Sequence, residues 1–327
     1  MPSKLEQLRE MTLVVADSGD IEAVKRLKPV DCTTNPSLVL KAVGLPLFAE
    51  KFDEALDWGR SQNLDETQRV VKIGDRLAIS VGTELTKLVK GRVSTEVDAD
   101  LSFDTEGSVK KAHEIIEEYE ARGVSKDRIL VKLGSTWEGI RAAEQLQKAG
   151  IDCNMTLIFN KAQAMAAADA GAFLISPFVG RILDWHAKAS GKTFTATEDP
   201  GVLSVQDIYR TYKAHGIETV VMGASFRNTG EIEELAGCDR LTISPALLDE
   251  LDKDQGKLER KLSPESSGGA KPERVRYDEK SFRWAMNEDA MATEKLAEGI
   301  RQFNADLIKM RQLISERLGS GVREAAE

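Results

Sequence analysis

Residues 129–159 read ILVKLGSTWEGIRAAEQLQKAGIDCNMTLIF and contain the pattern that decides the fold. The runs Ile129–Leu133 and Asn154–Phe159 are short and rich in branched apolar residues, which is typical of buried strands. Between them, Glu138–Ala149 has the periodicity of an amphipathic helix and is followed by Gly150, a residue type favoured at helix ends. A strand, a helix and a second strand in this order indicate a parallel βαβ unit.

The same alternation extends over most of the chain. Amphipathic stretches such as Glu106–Arg122 lie between β-rich runs, and Gly123, Gly171 and Gly216 fall near predicted helix ends. Eight units in a chain of 327 residues favour an α/β fold, a single closed (β/α)₈ (TIM) barrel, over an open sheet. The eight runs are Thr12–Ala16, Val30–Thr34, Arg92–Val97, Ile129–Leu133, Asn154–Phe159, Phe173–Phe178, Thr219–Gly223 and Arg240–Ser244.

Several segments do not fit the simple repeat. Pro36–Leu88 is too long for one crossover helix and is predicted to hold two or more, while Trp185–Val205 is predicted to be an insertion. Residues 252–276 are charged and rich in Ser, Gly and Pro, so we expect an exposed connector.

The C-terminal region returns to helical periodicity over Ser281–Leu318. This extension could pack over the barrel mouth or at an interface between subunits. We predict one domain over residues 1–318 and a frayed tail over residues 319–327. The apolar residues that share one face of the extension are Leu296, Ile300, Phe303, Leu307, Met310 and Leu313.

The composition limits the classes of function. Lys and Arg number 45 and Asp and Glu 54, so the net charge is −9, which disfavours a nucleic-acid or anionic-membrane binder. No apolar run approaches the roughly 18 residues of a membrane span, and the first residues lack the apolar core of a secretory signal. The three cysteines form no C-x-x-C pair and the three histidines are scattered. We therefore expect a cytoplasmic protein with free thiols, no metal site and no nucleotide motif.

Polar residues occur where buried parallel strands should be apolar. They lie toward the carboxyl end of the runs and keep one parity within each run, as positions 33 and 35, 94, 96 and 98, 154 and 156, and 225 and 227 show. Because strand side chains alternate with period two, this set should face the barrel interior and converge at the carboxyl-terminal mouth, where barrel active sites lie. The pattern indicates an enzyme and leaves the reaction open.

Lys132, between Val131 and Leu133, is the most informative single residue. One interpretation is a buried structural ion pair with Glu96 or Asp17. The other is a nucleophile, because desolvation disfavours the ammonium form and a neutral amine attacks carbonyls to form a Schiff base. The carboxylates Asp17 and Glu96 then either compensate the lysine or serve as general acid and base.

The remaining polar residues suggest a phosphorylated polyol. Arg181 and Arg227 are candidate phosphate ligands because guanidinium matches phosphate geometry, although an arginine after a strand commonly forms a surface ion pair. The side chains able to hydrogen-bond a polyol are Thr33, Asn35, Asn154, Thr156 and Ser176.

Four motifs resemble the transaldolase family, and the match runs from the N-terminus to about Leu318. The most specific one surrounds Lys132 and matches the segment that carries the Schiff-base lysine of transaldolases. The closest group is the classical, longer transaldolases of the pentose phosphate pathway. The motifs are DCTTNPSL at 31–38, ILVKLGSTWEGI at 129–140, ISPFVGRILDW at 175–185 and MGASFRN at 222–228.

The resemblance implies a (β/α)₈ barrel that transfers dihydroxyacetone from sedoheptulose 7-phosphate to glyceraldehyde 3-phosphate, giving erythrose 4-phosphate and fructose 6-phosphate. It implies that Lys132 forms the Schiff base, that Asp17 takes the proton of the donor C4 hydroxyl, and that Glu96 acts through a water held by Thr156. It also implies that no cofactor is needed and that a homodimer is plausible. By the same resemblance, dihydroxyacetone would be bound by Thr33, Asn35, Asn154 and Ser176, and phosphate by Arg181, Ser225 and Arg227.

The sequence departs from the family pattern in two places, and one further position separates two activities. Asn160-Lys161 stands where Ser-Phe is usual, and strand parity predicts that Lys161 lies outside the pocket; Gly134 stands where alanine is common. Related fructose-6-phosphate aldolases carry a tyrosine at the position of Phe178, where a phenol could deliver a water. Phe178 therefore favours a transferase over an aldolase, and a non-catalytic sugar-phosphate-binding barrel is the remaining alternative.

Overall fold

Eight parallel strands form a closed barrel in the computed structural model, which describes residues 2–267 and 273–324. Each strand pairs with the next along the chain, and β8 pairs with β1. The predicted TIM barrel is confirmed, and the ends of predicted and observed strands differ by at most one residue. The strands are β1 Leu13–Asp17, β2 Asp31–Thr33, β3 Val93–Glu96, β4 Ile129–Gly134, β5 Cys153–Ile158, β6 Leu174–Pro177, β7 Val220–Gly223 and β8 Arg240–Ile243.

Helices surround the barrel and connect the strands. The segment 36–88 contains α3, α4 and α5, as its length predicts, and the segment 185–205 contains the end of α9, an irregular stretch and the start of α10. No helix in the described part of the chain is both long enough and apolar enough to cross a membrane. The helices are α1 Lys4–Arg9, α2 Ile21–Leu27, α3 Pro36–Val43, α4 Ala49–Ser61, α5 Glu66–Leu88, α6 Thr105–Glu120, α7 Trp137–Lys148, α8 Lys161–Asp169, α9 Val179–Ser190, α10 Pro200–Ala214, α11 Thr229–Glu234, α12 Pro245–Lys253, α13 Glu279–Glu288 and α14 Ala290–Glu324.

Side-chain caps fix the points where several helices begin just after the strands. The oxygens of Asn35, Thr136, Asn160 and Asn228 each accept a backbone N–H from the first turn of α3, α7, α8 and α11. These caps turn the chain sharply at the carboxyl end of the barrel. They thereby keep the strand–helix junctions, which surround the mouth, in defined positions.

The barrel interior is divided into an apolar layer and a polar layer. Val15, Leu130, Leu174 and Met222 form a small buried cluster on four different strands. The interior positions that follow them along those strands are Asp17, Lys132, Ser176 and, on β7, the mouth-side Ala224. The predicted convergence of polar side chains at the carboxyl-terminal mouth is confirmed for β1, β4 and β6. The parity expectation is wrong for β7, where positions 225 and 227 have the parity opposite to that of Met222 and Ala224.

The C-terminal extension consists of α13 and the long helix α14. Ile300, Phe303, Leu307 and Met310 are buried, so the predicted apolar face is the face that packs on the body. α14 continues to Glu324, past the point at Gly319 where the sequence predicts fraying, since no proline interrupts it. Residues 325–327 of the predicted tail lie outside the described residues.

The predicted connector at residues 252–276 is exposed at most of its described positions, but not throughout. Leu258 and Leu262 are buried, and the Leu262 and Lys261 N–H groups both donate to the Ala236 carbonyl oxygen, at 3.0 and 2.8 Å. The expectation of an exposed connector is corrected there, because two leucines within a polar stretch gain free energy when they leave water. Leu262 lies against the residues that follow α11, and the Leu258 N–H donates to Gln7 Oε1 of α1. Residues 268–272 lie outside the described residues.

Gly139 allows α7 to pack tightly on the strand that carries Lys132. A Cβ at Gly139 would lie 2.0 Å from the Gly134 carbonyl oxygen, at the end of β4. Backbone cannot move away cheaply, so the closeness of this helix to β4 depends on a residue without a side chain.

We expect Gly139→Ala to lower the free energy of unfolding by about 1–3 kcal/mol because it overpacks this junction. Gly319→Ala is the matched control, since Gly319 is also helical and a Cβ there would meet nothing within 4 Å. Urea denaturation should show no loss for the control. Equal stability of the two variants would contradict the proposed role of Gly139.

Candidate active site

A cavity of about 420 Å³ lies at the carboxyl-terminal mouth of the barrel. It brings together nine of the residues that the sequence singled out, from six strands, the loops that follow them and the first turn of α9. Its walls also include Ala224, Thr242 and Phe303. The nine residues are Asp17, Thr33, Asn35, Lys132, Thr156, Ser176, Phe178, Arg181 and Ser225.

Lys132 is buried at the base of this cavity. Its Nζ lies 3.1 Å from Glu96 Oε2 and donates to the Thr34 carbonyl oxygen at 3.1 Å. Strand register explains the ion pair, because Glu96 of β3 and Lys132 of β4 are direct partners in the parallel ladder. The ion pair expected from the structural interpretation is therefore present, yet the same amine also lines a cavity.

Burial changes the acidity of both carboxyl groups near the lysine. It raises the pKa of Glu96 above its ordinary value, and Lys132 counteracts part of that rise. Burial likewise raises the pKa of Asp17, opposed by the charge of Lys132 and by the hydrogen bond from Thr33. Carboxyl groups with raised pKa values hold protons more readily, which suits proton transfer near neutral pH.

Hydroxyl and amide groups line the wall on both sides of the lysine. Thr33 Oγ1 lies 2.8 Å from Asp17 Oδ1 and 2.6 Å from the hydroxyl of Thr242. Ser176 Oγ donates to Asn154 Oδ1 at 2.7 Å, so Asn154 lies behind Ser176 and does not line the cavity itself. Asn35 lines the cavity while its Oδ1 caps α3 by accepting the Leu38 N–H.

Thr156 differs from the other hydroxyl residues because its Oγ1 is buried without a hydrogen-bond partner in the described chain. The next residue, Leu157, has a φ of +57°, and the register between β5 and β6 shifts at this point. A bulge of this kind re-aims side chains and occurs next to functional sites. A buried hydroxyl on a cavity wall with no protein partner is suited to hold a small polar molecule.

The two predicted phosphate ligands occupy different positions. Arg181 lines the cavity, makes no ion pair within residues 2–267 and 273–324, and lies over the rings of Phe178 and Phe303 at 5.1 and 5.7 Å. Arg227 lies outside the cavity, where Nη2 contacts Asp184 Oδ2 at 2.7 Å. Ser225 joins the two positions, since it lines the cavity and its carbonyl oxygen accepts from Arg227 Nη1 at 3.3 Å.

The C-terminal helix α14 covers the cavity, because Phe303 is part of its wall. Of the two predicted positions for the C-terminal extension, the structure therefore shows the one over the barrel mouth. Phe303 lies 5.8 Å from Lys132 Nζ, measured to the ring centre. Arg311, two turns further along, contacts Asp98 and Asp100 at 3.0 and 2.9 Å. These ion pairs tie the helix to the loop that follows β3, the strand of Glu96.

Sequence reasoning missed Phe303 as a cavity residue and also missed Thr242. Thr242 interrupts an apolar run and has the interior parity of β8, so the signal used for the other strands could have found it. Phe303 lies on a helix far along the chain, where an apolar residue indicates only packing.

Lys161 lies outside the cavity, as strand parity predicts. Its Nζ contacts Asp207 at 3.0 Å on the surface, because Asn160 caps α8 and turns the next residue away from the mouth. Within the described ranges, no group of three or more His, Cys, Asp or Glu side chains is placed to hold a metal ion.

Comparison with known proteins identifies the family. The family model described as Transaldolase/Fructose-6-phosphate aldolase matches residues 14–314. A protein named Transaldolase from Rhizobium etli (strain CIAT 652) is 69% identical over 319 residues, which cover 97% of this chain and 98% of that protein. Proteins of the same name from Agrobacterium fabrum and Pseudoalteromonas atlantica are 66% and 56% identical, over 97% and 96% of this chain and 98% and 99% of theirs. The resemblance seen in the sequence motifs is thus confirmed, and the chain belongs to the transaldolase/fructose-6-phosphate aldolase family.

Proposed function

We propose that this protein is a transaldolase that moves a dihydroxyacetone unit from sedoheptulose 7-phosphate to glyceraldehyde 3-phosphate through a Schiff base on Lys132. The observation that carries the proposal is the position of one buried amine, 3.1 Å from the Glu96 carboxylate and on the wall of a cavity lined by hydroxyl groups. An amine so placed has a proton acceptor beside it and room for a ketose in front of it.

Schiff-base formation requires the amine to lose a proton and the ketose to lose its carbonyl oxygen as water. Glu96 accepts the ammonium proton, since burial already raises the pKa of this carboxyl group. The neutral Nζ then attacks C2 of the ketose. Glu96 returns the proton through a water held by the unpartnered Thr156 hydroxyl, and the carbinolamine loses water to give the iminium.

Cleavage of the C3–C4 bond requires a base for the donor C4 hydroxyl. Asp17 takes this proton, and the hydrogen bond from Thr33 holds its carboxylate in place. The electron pair of the broken bond enters the iminium, which becomes an enamine while erythrose 4-phosphate leaves. The enamine carbon attacks the aldehyde of glyceraldehyde 3-phosphate, Asp17 returns its proton, and hydrolysis releases fructose 6-phosphate. Because the iminium accepts the electrons, this route uses no cofactor.

Two further groups of residues bind the ends of the substrate. Thr33, Asn35, Ser176 and the supporting Asn154 hold the dihydroxyacetone hydroxyls. The phosphate is bound by Arg181, Ser225 and Arg227; Arg181 has no competing ion pair in the described chain, whereas Arg227 exchanges Asp184 for phosphate.

Phe178 supports transfer rather than release of dihydroxyacetone. Its ring lines the cavity and packs edge-on against Phe159 at 5.7 Å between ring centres. A phenyl group cannot deliver a water to the enamine or iminium, so the intermediate persists until an acceptor aldehyde arrives. We place the reaction in the non-oxidative pentose phosphate pathway of the cytoplasm, and the homodimer stays a prediction from the family resemblance.

Incubation with fructose 6-phosphate and borohydride should reduce the iminium and leave a three-carbon adduct on Lys132, which peptide mass mapping locates. Lys132→Met should abolish the adduct in a folded protein, because no other amine lies on the cavity wall within the described residues. Lys161→Met is the matched control and should keep the adduct. An adduct on Lys161, or none in the wild-type protein, would contradict the proposal.

Thr156→Val keeps the shape of residue 156 and removes its hydroxyl group. We expect kcat for transfer to fall roughly 10²-fold, because the water that carries protons between Glu96 and the intermediate loses its anchor. Thr156→Ser keeps the hydroxyl and should retain most of the activity in a steady-state assay. A serine variant as slow as the valine variant would show that the methyl group, and not the hydroxyl, matters.

A further inference from the structure

Two carboxyl side chains are buried together behind the turn that follows β7. Glu231 of α11 is fully buried, and Asp199, which caps α10, is 2% exposed. Buried carboxylates are ordinarily paired with cations. Neither Glu231 nor Asp199 forms an ion pair within residues 2–267 and 273–324. Another source of stabilisation is therefore required.

Backbone donors satisfy only part of the hydrogen-bonding capacity of this pair. Glu231 Oε2 accepts the Arg227 N–H at 2.6 Å, while Oε1 is buried without an N–H or hydroxyl donor in the described chain. Asp199 Oδ1 accepts the N–H groups of Gly201 and Val202 at 2.7 and 3.2 Å. The Glu231 and Asp199 side chains lie close enough together to share a hydrogen bond, and each acts in this way on the pKa of the other. Two carboxyl groups can do so only if one of them is protonated.

The surroundings of the pair favour retention of this proton near neutral pH. Burial raises the pKa of Glu231 to about 7 and also raises the pKa of Asp199. Asp184 of α9 faces the pair and adds negative potential, while the Arg227 guanidinium is turned toward Asp184. When the pair loses its proton, two buried carboxylates repel each other at one site.

The pair supports the turn that carries two of the phosphate ligands. Glu231 accepts the backbone N–H of Arg227, and its own N–H donates to Asn228 Oδ1 at 3.0 Å. Ser225, at the start of this turn, has a φ of +61°, a backbone conformation that residues other than glycine rarely adopt. Asp199 lies directly before α10. The segment that leads to it packs closely on α11, since a Cβ on Gly230 would lie 3.1 Å from Ala196 Cβ.

We propose that Glu231 is a positioning residue that acts through a proton shared with Asp199, and that this shared proton fixes the turn 225–228 so that Ser225 and Arg227 receive the substrate phosphate. This inference rests on the proposed function for the identity of the ligand. It follows that affinity for phosphorylated substrates falls when the pair loses its proton, while the chemistry at Lys132 does not depend on the pair.

The test compares wild-type protein with Glu231→Gln over a range of pH. The glutamine amide accepts from Arg227 N–H and donates to Asp199, so the variant imitates the protonated pair at every pH. Between about pH 6 and pH 8.5 we expect KM for fructose 6-phosphate to rise about threefold more in the wild type than in the variant, with similar kcat. Asp199→Asn should behave like Glu231→Gln, and Asp207→Asn, on the surface, should behave like the wild type.

An infrared titration provides a readout that needs no substrate. The wild-type protein should show the carbonyl band of a protonated carboxyl group that persists at about pH 6, and the difference spectra with Glu231→Gln and Asp199→Asn should both show its loss. Unchanged bands in both variants, or equal KM profiles in wild type and Glu231→Gln, would overturn the proposal. A protein that shows the band but forms no adduct with fructose 6-phosphate would contradict the proposed function instead and leave the shared proton standing.

Discussion

The burial of the Lys132 amine against Glu96 is the interaction on which the site depends. A buried charge is costly unless it is paired, and parallel register supplies the partner by placing Glu96 and Lys132 at matching positions of β3 and β4. The pair keeps a proton donor and a proton acceptor 3.1 Å apart, away from bulk water. The small apolar cluster of Val15, Leu130, Leu174 and Met222 lies one layer below it, and the amine faces the cavity at the mouth.

Two helices, α7 and α14, pack against the strands and close the site around Lys132. Gly139 lets α7 pack on the end of β4, and the ion pairs of Arg311 hold α14 across the mouth, where Phe303 covers the amine. Burial then has the same effect on three carboxyl groups in and near the site: the pKa values of Asp17, Glu96 and Glu231 are all raised. The fold therefore sets the acidity of the site by excluding water from it.

Local signals predicted the barrel and most of the cavity, because strand parity and strand order leave little freedom in a closed parallel barrel. Lys132, Glu96 and Thr156 could be placed in this way, and the roles assigned to them rest on the family motifs. Contacts made by distant segments could not be predicted from the sequence. Phe303 on α14 and the pairing of Arg227 with Asp184 depend on how helices pack, and the burial of Leu258 and Leu262 depends on a surface that only the folded chain provides.

The most direct test of a Schiff base at Lys132 is the fate of the ketose carbonyl oxygen. Imine formation expels this oxygen as water, and hydrolysis returns an oxygen from the solvent. Fructose 6-phosphate labelled with ¹⁸O at C2 should therefore lose its label at a rate that matches turnover, and Lys132→Met should show only the slow spontaneous exchange. Retention of the label through many turnovers by the wild-type protein would contradict a covalent intermediate at this amine.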